Sequence, residues 1–322
     1  MLAPDRYKLL GVKLVKKIII DTDPGIDDAL AIMFALNSPE ISLEGLTTVS
    51  GNVPVEQGTK NALTILETIG RPDIPVAKGA ALPLRRKLIT AEYVHGQDGL
   101  ADLNLPAPGL VPHDLSAVEW LRQKLLASAE PITVVAIGPL TNLGMLRCLD
   151  PKAFAKIEEI VFMGGAAFCG GNTTSTAEFN ILVDPDAAKL VFESGVPLTM
   201  VGLDVTHKVT LYEQDLAKLE GKDSPMASFA RRLLQSTFEK RTATIEMGGI
   251  HLHDPLAVGV AINPGLVELK GYYLAVETEG EIAAGQTVAD DRPWSKAQPN
   301  ATVAVDVDSE RFLEWFVDTL GQ

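Results

Sequence analysis

Four carboxylates fall within Asp21-Thr22-Asp23-Pro24-Gly25-Ile26-Asp27-Asp28, directly after the apolar run Ile18-Ile19-Ile20. Pro24 and Gly25 shape a turn between a strand and a helix, and Asp27 and Asp28 open that helix, where the macrodipole favours negative charge. Helix capping accounts for one or two of these acids. Crowding all four is electrostatically costly unless a hard cation screens them and takes their oxygens as ligands. The Asp spacing and the missing distal Glu exclude an EF-hand. This segment has no G-x-G-x-x-G and no Walker loop, which argues against nucleotide phosphate as the ligand.

Three further segments carry candidate chemistry. In His251-Leu252-His253-Asp254-Pro255 a histidine adjoins a carboxylate, so a proton donor near neutral pH could sit beside a metal ligand. Asp-Pro also starts helices, with Asp as N-cap and Pro at the first helical position. Asp150-Pro151 and Asp184-Pro185 are read that way, whereas Asp254-Pro255 is open to either reading. Gly170-Gly171-Asn172 with Ala177-Glu178-Phe179-Asn180 offers amides and a carboxylate suited to a polyhydroxylated ligand. Glu178 and Asn180, two apart in extended chain, would face the same side. The fourth segment, His95-Gly96-Gln97-Asp98-Gly99-Leu100, sets a lone histidine in a glycine-containing loop.

The elements that must position these residues alternate. Lys17–Ile20, Leu43–Val49, Ile132–Ile137, Ile160–Phe162 and Pro197–Val201 read as strands. Asp27–Leu36, Val55–Ile69 and Leu256–Ile262 read as helices. This alternation predicts an α/β fold with a single open, mainly parallel twisted sheet and helices on both faces. Ligands of such sheets sit beyond the carboxyl ends of the strands, which is where the Asp cluster, Ser50-Gly51-Asn52, Gly138 and Met163-Gly164-Gly165 fall. Residues 1–16 read as a short N-terminal extension and 17–322 as one domain.

The 322 residues include 42 acidic and 28 basic ones, a net charge of −14, which disfavours nucleic acid and anionic membrane as partners. A hydrophobic content of 46% supports a sizeable core. The two cysteines, Cys148 and Cys169, cannot build a disulfide scaffold and point to a reduced, cytoplasmic setting. No apolar run approaches the roughly 18 residues of a membrane span. Asp5, Arg6, Lys8 and Lys13 interrupt any signal-like apolar segment.

Together these segments resemble the inosine–uridine-preferring nucleoside hydrolase family. Asp21 to Ala29 looks like its N-terminal signature. Gly138-Pro139-Leu140-Thr141-Asn142, Met163-Gly164-Gly165, Ala177-Glu178-Phe179-Asn180, His253-Asp254-Pro255 and Gly285-Gln286-Thr287-Val288 follow in the family's order. The resemblance implies hydrolysis of the N-glycosidic bond of ribonucleosides. It further implies one Ca²⁺ held by Asp23, Asp28, Asp254 and the backbone carbonyl of Ile137. Asp23 would also deprotonate the attacking water. Asp27, Asn52, Asn172, Glu178 and Asn180 would grip the ribose, with Met163 packing nearby. His253 would lie over the leaving base as a proton donor, and His95, Phe238 and Arg241 would border the base pocket. Some members carry a Tyr before the His-Asp pair; Phe238 to Ile245 offers none. A homodimer or homotetramer is expected by the same likeness. Two other readings stand beside it. One is a haloacid-dehalogenase-type phosphatase with Asp21 as nucleophile and Mg²⁺ as metal. The other is a non-catalytic nucleoside- or ribose-binding protein.

Overall fold

A computed structural model describes residues 15–240 and 248–322. Its main sheet has nine strands in the order β10-β9-β11-β6-β5-β4-β1-β2-β3. In chain order these are β1 (Lys16–Thr22), β2 (Ile41–Thr48), β3 (Val76–Lys78), β4 (Ile132–Ala136), β5 (Ile157–Met163) and β6 (Leu198–Val201). β9 (Val267–Val276), β10 (Thr287–Asp290) and β11 (Ala301–Val307) follow. A separate antiparallel pair joins β7 (Thr210–Leu211) to β8 (Ile250–His251). Every pairing from β3 across to β11 is parallel; only β9 runs against its neighbours.

The open, mainly parallel sheet is as the alternation predicts. The five expected strands all form, with ends moved by at most three residues. β3, β9, β10 and β11 are additional. The helices α1 (Ile26–Leu36) and α2 (Val55–Thr68) likewise fall where expected.

β1 explains how both faces are filled. Ile18 and Ile20 enter one apolar cluster and Ile19 the other, so its run of isoleucines needs no polar alternation. The first cluster holds α1, the helices Pro225–Lys240 and Ser309–Leu320, and the helix His253–Ile262. The second holds the helices Ala117–Ala127, Thr141–Leu149 and Pro185–Phe192. From β1 the chain builds outward to β2 and β3 on one side, then returns to place β4 on the other. Strand order therefore reverses at β1 and β4, the point where open sheets leave a crevice for ligands.

α1 is buried on nearly every side, from Asp28 through Ala35. Phe34 anchors it, with ring centroids 4.8 Å from Trp315, 5.5 Å from Phe316 and 5.9 Å from Phe312. Because α1 carries two of the clustered acids, its seating fixes their position. Phe34→Ala is expected to cost about 3–5 kcal/mol in a chemical denaturation series. A loss under about 1 kcal/mol would mean that this aromatic contact does not secure the helix.

Candidate active site

The turn between β1 and α1 is wrapped around its own carboxylates. Asp28, in the first turn of α1, accepts hydrogen bonds from Thr22 Oγ1 at 2.5 Å, from the Gly25 amide at 2.9 Å and from the Asp23 amide at 3.2 Å. Asn52, just past β2, donates its side-chain amide to Asp28 at 2.9 Å and its backbone N–H to Asp23 Oδ2 at 2.6 Å. The other Asp23 oxygen, Oδ1, is buried without a hydrogen-bond partner. Two glycines leave room for this carboxylate. A Cβ at Gly51 would lie 2.0 Å from Asp23 Oδ2, and one at Gly138 would lie 2.7 Å from Oδ1. Neither position has a left-handed φ, so glycine serves close approach here.

Asp254 arrives from far along the chain. Asp150 and Asp184 cap their helices as the sequence reading expects, Asp150 accepting from the amides of Lys152 and Ala153 and Asp184 from that of Ala187. Asp254 does not. Its helix begins at His253 behind Leu252, which makes no side-chain cap, so the Asp254 carboxylate is free of capping duty. One oxygen from each of Asp27, Asp28 and Asp254 lies within 4.8 Å of the others. Burial raises the Asp27 carboxyl to about 7, with Asp28 adding repulsion. Asp254 is pushed well above the usual carboxylate range by burial and then by Asp27, Asp28 and Asp23. Asp23 is raised by burial and then by Asp28. Clustered buried oxygens, one of them unpaired, suit a hard divalent cation. The tightest trio contains Asp27, which the resemblance places on the ribose, while Asp23 stands beside it.

The residues that the resemblance assigns to the ribose include a group that meets at the ends of β4 and β5. Asn180 donates its amide to the Ile137 carbonyl at 3.0 Å and to the Met163 carbonyl at 3.2 Å. The sequence suggested extended chain through Glu178 and Asn180; Glu178 keeps extended backbone, but Asn180 is already helical. Glu178 is the N-cap of a short helix, Phe179–Val183, because its carboxylate can accept from the amides of Asn180 and Ile181. A third amide, that of Gly165, also donates to it at 2.9 Å. Exposed Asn172 is drawn to the same helix through the Phe179 amide at 3.0 Å. Asp204, not singled out in the sequence, accepts from the amides of Ala167 and Phe168 and so holds the loop that leads to Asn172.

On the opposite side stand the histidines. His95 Nδ1 accepts the Ile26 amide at 3.1 Å. It lies 4.0 Å from Asp27 Oδ1, yet burial lowers its pKa to about 4 and the ring is neutral. Its loop is fixed by Asp98, which accepts from the amides of Leu100, Asp102 and Asn104, and by Asn61, which joins the Pro24 and Asp98 carbonyls. His253 is lowered well below its ordinary value by burial and then by the other histidines. It bonds Thr206 and neighbours His207 and His251, which the sequence reading passed over. Phe238 packs in the apolar cluster that holds α1. Arg241 lies outside the described residues.

Asp21, the nucleophile of the phosphatase reading, is fully buried, with Oδ1 held by Thr47 and Asn142.

A sequence profile described as "Inosine-uridine preferring nucleoside hydrolase" matches residues 18–314. The chain belongs to that family. This nucleoside hydrolase is 42% identical to the pyrimidine-specific ribonucleoside hydrolase RihA of Shewanella sp. (strain MR-7), over 95% of this chain and 96% of that one. It is also 42% identical to RihA of Escherichia coli O139:H28, over 94% and 97%. Among solved structures it resembles a plant nucleoside hydrolase, PpNRh1, with a TM-score of 0.89, 38% identity and coverage of 96% and 99%. It also resembles the purine-preferring ribonucleoside hydrolase from Gardnerella vaginalis, with a TM-score of 0.88, 35% identity and coverage of 95% and 98%. The enzyme therefore hydrolyses N-glycosidic bonds, and the phosphatase and passive-binder readings fall. Among the described residues, no helix is long and apolar enough to cross a membrane.

The raised carboxyls of the nucleoside hydrolase set a sign for stability. A group protonated more readily when folded stabilises fully below its unfolded pKa, about 4, and that contribution is lost as pH rises through about 7 for Asp27. Bound cation reverses this, because it needs the ionised form. If the cluster takes Ca²⁺, as the resemblance implies, the rise in Tm on adding it to chelated protein should grow from about pH 5 to about pH 8. Asp27→Asn should raise the Tm of the chelated protein while shrinking the Ca²⁺ increment. An increment independent of pH, or an unchanged chelated Tm in Asp27→Asn, would contradict the cluster's electrostatics.

The Asp-Pro pairs separate in the same way. Asp184 is buried and also holds the Leu84 amide and the Thr141 hydroxyl, so Asp184→Asn should cost roughly 1–2 kcal/mol of stability and leave kcat within about threefold. Asp254→Asn should keep the fold and lose on the order of 10²-fold or more in kcat. Equal losses of activity from two folded variants would show that the distinction between cap and site is mistaken.

Proposed function

We propose that this nucleoside hydrolase is Ca²⁺-dependent and prefers pyrimidine ribonucleosides. The observation carrying the metal assignment is the buried trio Asp27, Asp28 and Asp254 beside the unpaired Oδ1 of Asp23. The base preference is supported by relatives named pyrimidine-specific at 42% identity over nearly the whole chain.

Asp23, Asp28, Asp254 and the Ile137 carbonyl would hold the cation, with Asp27 close enough to share it. When bound, Ca²⁺ neutralises the cluster and makes a nearby water more acidic. The protein's own residues supply the rest. Asp23 Oδ1 takes a proton from the attacking water as the water oxygen bonds to C1′. The C1′–N bond breaks and its electron pair leaves on the base nitrogen. Positive charge on the ribosyl ring peaks between these events. Asp27, Asn52, Asn172, Glu178 and Asn180 surround the sugar with acceptors and amide dipoles suited to that charge. Glu178 already accepts backbone amides, but a carboxylate has about four lone-pair sites, which leaves one for a hydroxyl.

His253 and His95 face the base in this reading. Both are neutral near pH 7, since burial depresses both rings. They therefore stabilise the departing anion by donating hydrogen bonds rather than by surrendering a proton, and the released base is protonated from solvent.

A nucleoside panel assayed for reducing sugar tests the proposal. Uridine and cytidine should exceed inosine in kcat/KM by on the order of 10-fold or more. 2′-Deoxyuridine should fall on the order of 10⁴-fold below uridine, because it leaves buried polar groups unpaired. A chelator should abolish turnover and Ca²⁺ restore it better than Mg²⁺. Inosine cleaved as well as uridine defeats the pyrimidine assignment. Full activity in chelator defeats the metal assignment.

A further inference from the structure

Three histidine rings cluster, tilted or edge-on to one another, at the start of the helix His253–Ile262. His207 and His251 are 5.0 Å apart by ring centroid, His251 and His253 5.6 Å, and His207 and His253 5.7 Å. The small sheet of β7 and β8 brings them together, pairing Thr210 with His251, while the Leu252 amide donates to the Val209 carbonyl at 3.0 Å. This packing places Thr206, the last residue of the short helix Leu203–Thr206, against His253. Thr206 Oγ1 lies 2.7 Å from His253 Nδ1.

The direction of that hydrogen bond decides which ring nitrogen carries the proton. Thr206 is fully buried, and among the described residues its hydroxyl has no other hydrogen-bond partner. If Nδ1–H donated, the hydroxyl proton would have no acceptor among the described residues. If the hydroxyl donates, both groups are satisfied and the ring proton sits on Nε2. His251 offers the contrast. Its Nδ1 lies 3.1 Å from Thr210 Oγ1, but Thr210 is only half-buried, so solvent can take that hydroxyl's proton; with His251 Nε2 buried and without a hydrogen-bond partner among the described residues, this ring is free to donate from Nδ1 instead. His95 offers the parallel. A backbone amide can only donate, so the Ile26 N–H forces a bare Nδ1 and a protonated Nε2 there too.

We propose that Thr206 is a positioning residue that locks His253 in the Nε2–H tautomer, so that His253 and His95 both present a ring N–H to the departing base. The second half of this statement rests on the reading that His253 acts on the leaving group. No proton changes hands in the step; Nε2 keeps its hydrogen while the base takes the electron pair of the broken bond.

Two measurements on the full-length enzyme test it. In ¹⁵N-histidine spectra at neutral pH, with the His253 signals assigned by their loss in His253→Ala, the wild type should show a bare Nδ1 and a protonated Nε2. Thr206→Val, which keeps the side-chain shape and removes the hydroxyl, should mix the tautomers, and Thr206→Ser should restore the single form. A wild-type ring protonated on Nδ1, or a Thr206→Val ring still wholly in the Nε2–H form, overturns the proposal.

In kinetics, Thr206→Val should lower kcat on uridine by on the order of 10-fold with little change in KM, and Thr206→Ser should recover most of it. p-Nitrophenyl riboside, whose phenolate leaves unaided, should change by less than about twofold. Adding Thr206→Val to His253→Ala should cause no further loss. If His253→Ala slows uridine selectively and Thr206→Val does not, the positioning role fails. If His253→Ala slows both substrates alike, the reading of His253 fails, and the spectra alone then decide the tautomer lock.

Discussion

Negative charge buried at the carboxyl end of β1 is the condition to which the surrounding structure answers. Asp21, Asp23 and Asp28 have no exposed surface, and Asp254 almost none. A carboxylate in such a place must be hydrogen-bonded, paired with a cation or protonated. Nearby donors are spent accordingly. Thr47 and Asn142 serve Asp21; Thr22 and the Gly25 amide serve Asp28; Asn52 divides itself between Asp23 and Asp28. Space is rationed too, since Gly51 and Gly138 bring bare backbone against Asp23 where any side chain would collide. After all this Asp23 Oδ1 is still unpaired. The protein supplies donors up to the point where a cation or water would take over.

The flanks of the crevice are built differently. The flank that carries Glu178 and Asn180 draws on the ends of the adjacent parallel strands β4 and β5, braced by Asn180 across the Ile137 and Met163 carbonyls. The histidine side depends on loops and short pieces. Ala101, Asp102 and Asn104 adopt left-handed φ values in the His95 loop, and Ser236 and Lys240 both clasp the Ala101 carbonyl. That clasp ties the loop to the helix Pro225–Lys240.

Legibility in the sequence followed locality. The β1–α1 turn could be read because an unbroken apolar run, a Pro-Gly pair and four acids are contiguous. The roles of Asp150 and Asp184 were legible from the same grammar. Asp254 was ambiguous because its distinction lies in where its helix starts, which only packing decides. Glu178 misled because two polar residues two apart suit a strand, whereas Glu178 found two helix amides to cap and a third at Gly165. β3 is three residues long, and β9 alternates irregularly around Lys270 and Gly271, so neither carries a clean period. Thr206, Asp204, His207 and His251 were silent for another reason. A threonine or aspartate has no meaning until its partner is known, and the partner of Thr206 is 47 residues away.

The distance between Asp28 and Asp254 has a consequence for how the chain reaches its final state. Asp23, Asp27 and Asp28 are neighbours even in an unfolded chain, but Asp254 joins them across 226 residues that include the strands β2 to β6. Contacts of such long sequence separation form late, because the loop they close must first be ordered. A half-assembled chain thus offers a cation only a loose local cluster. The trio with matched oxygens belongs to the completed fold alone, so an ion that demands all three discriminates finished molecules from unfinished ones during biosynthesis.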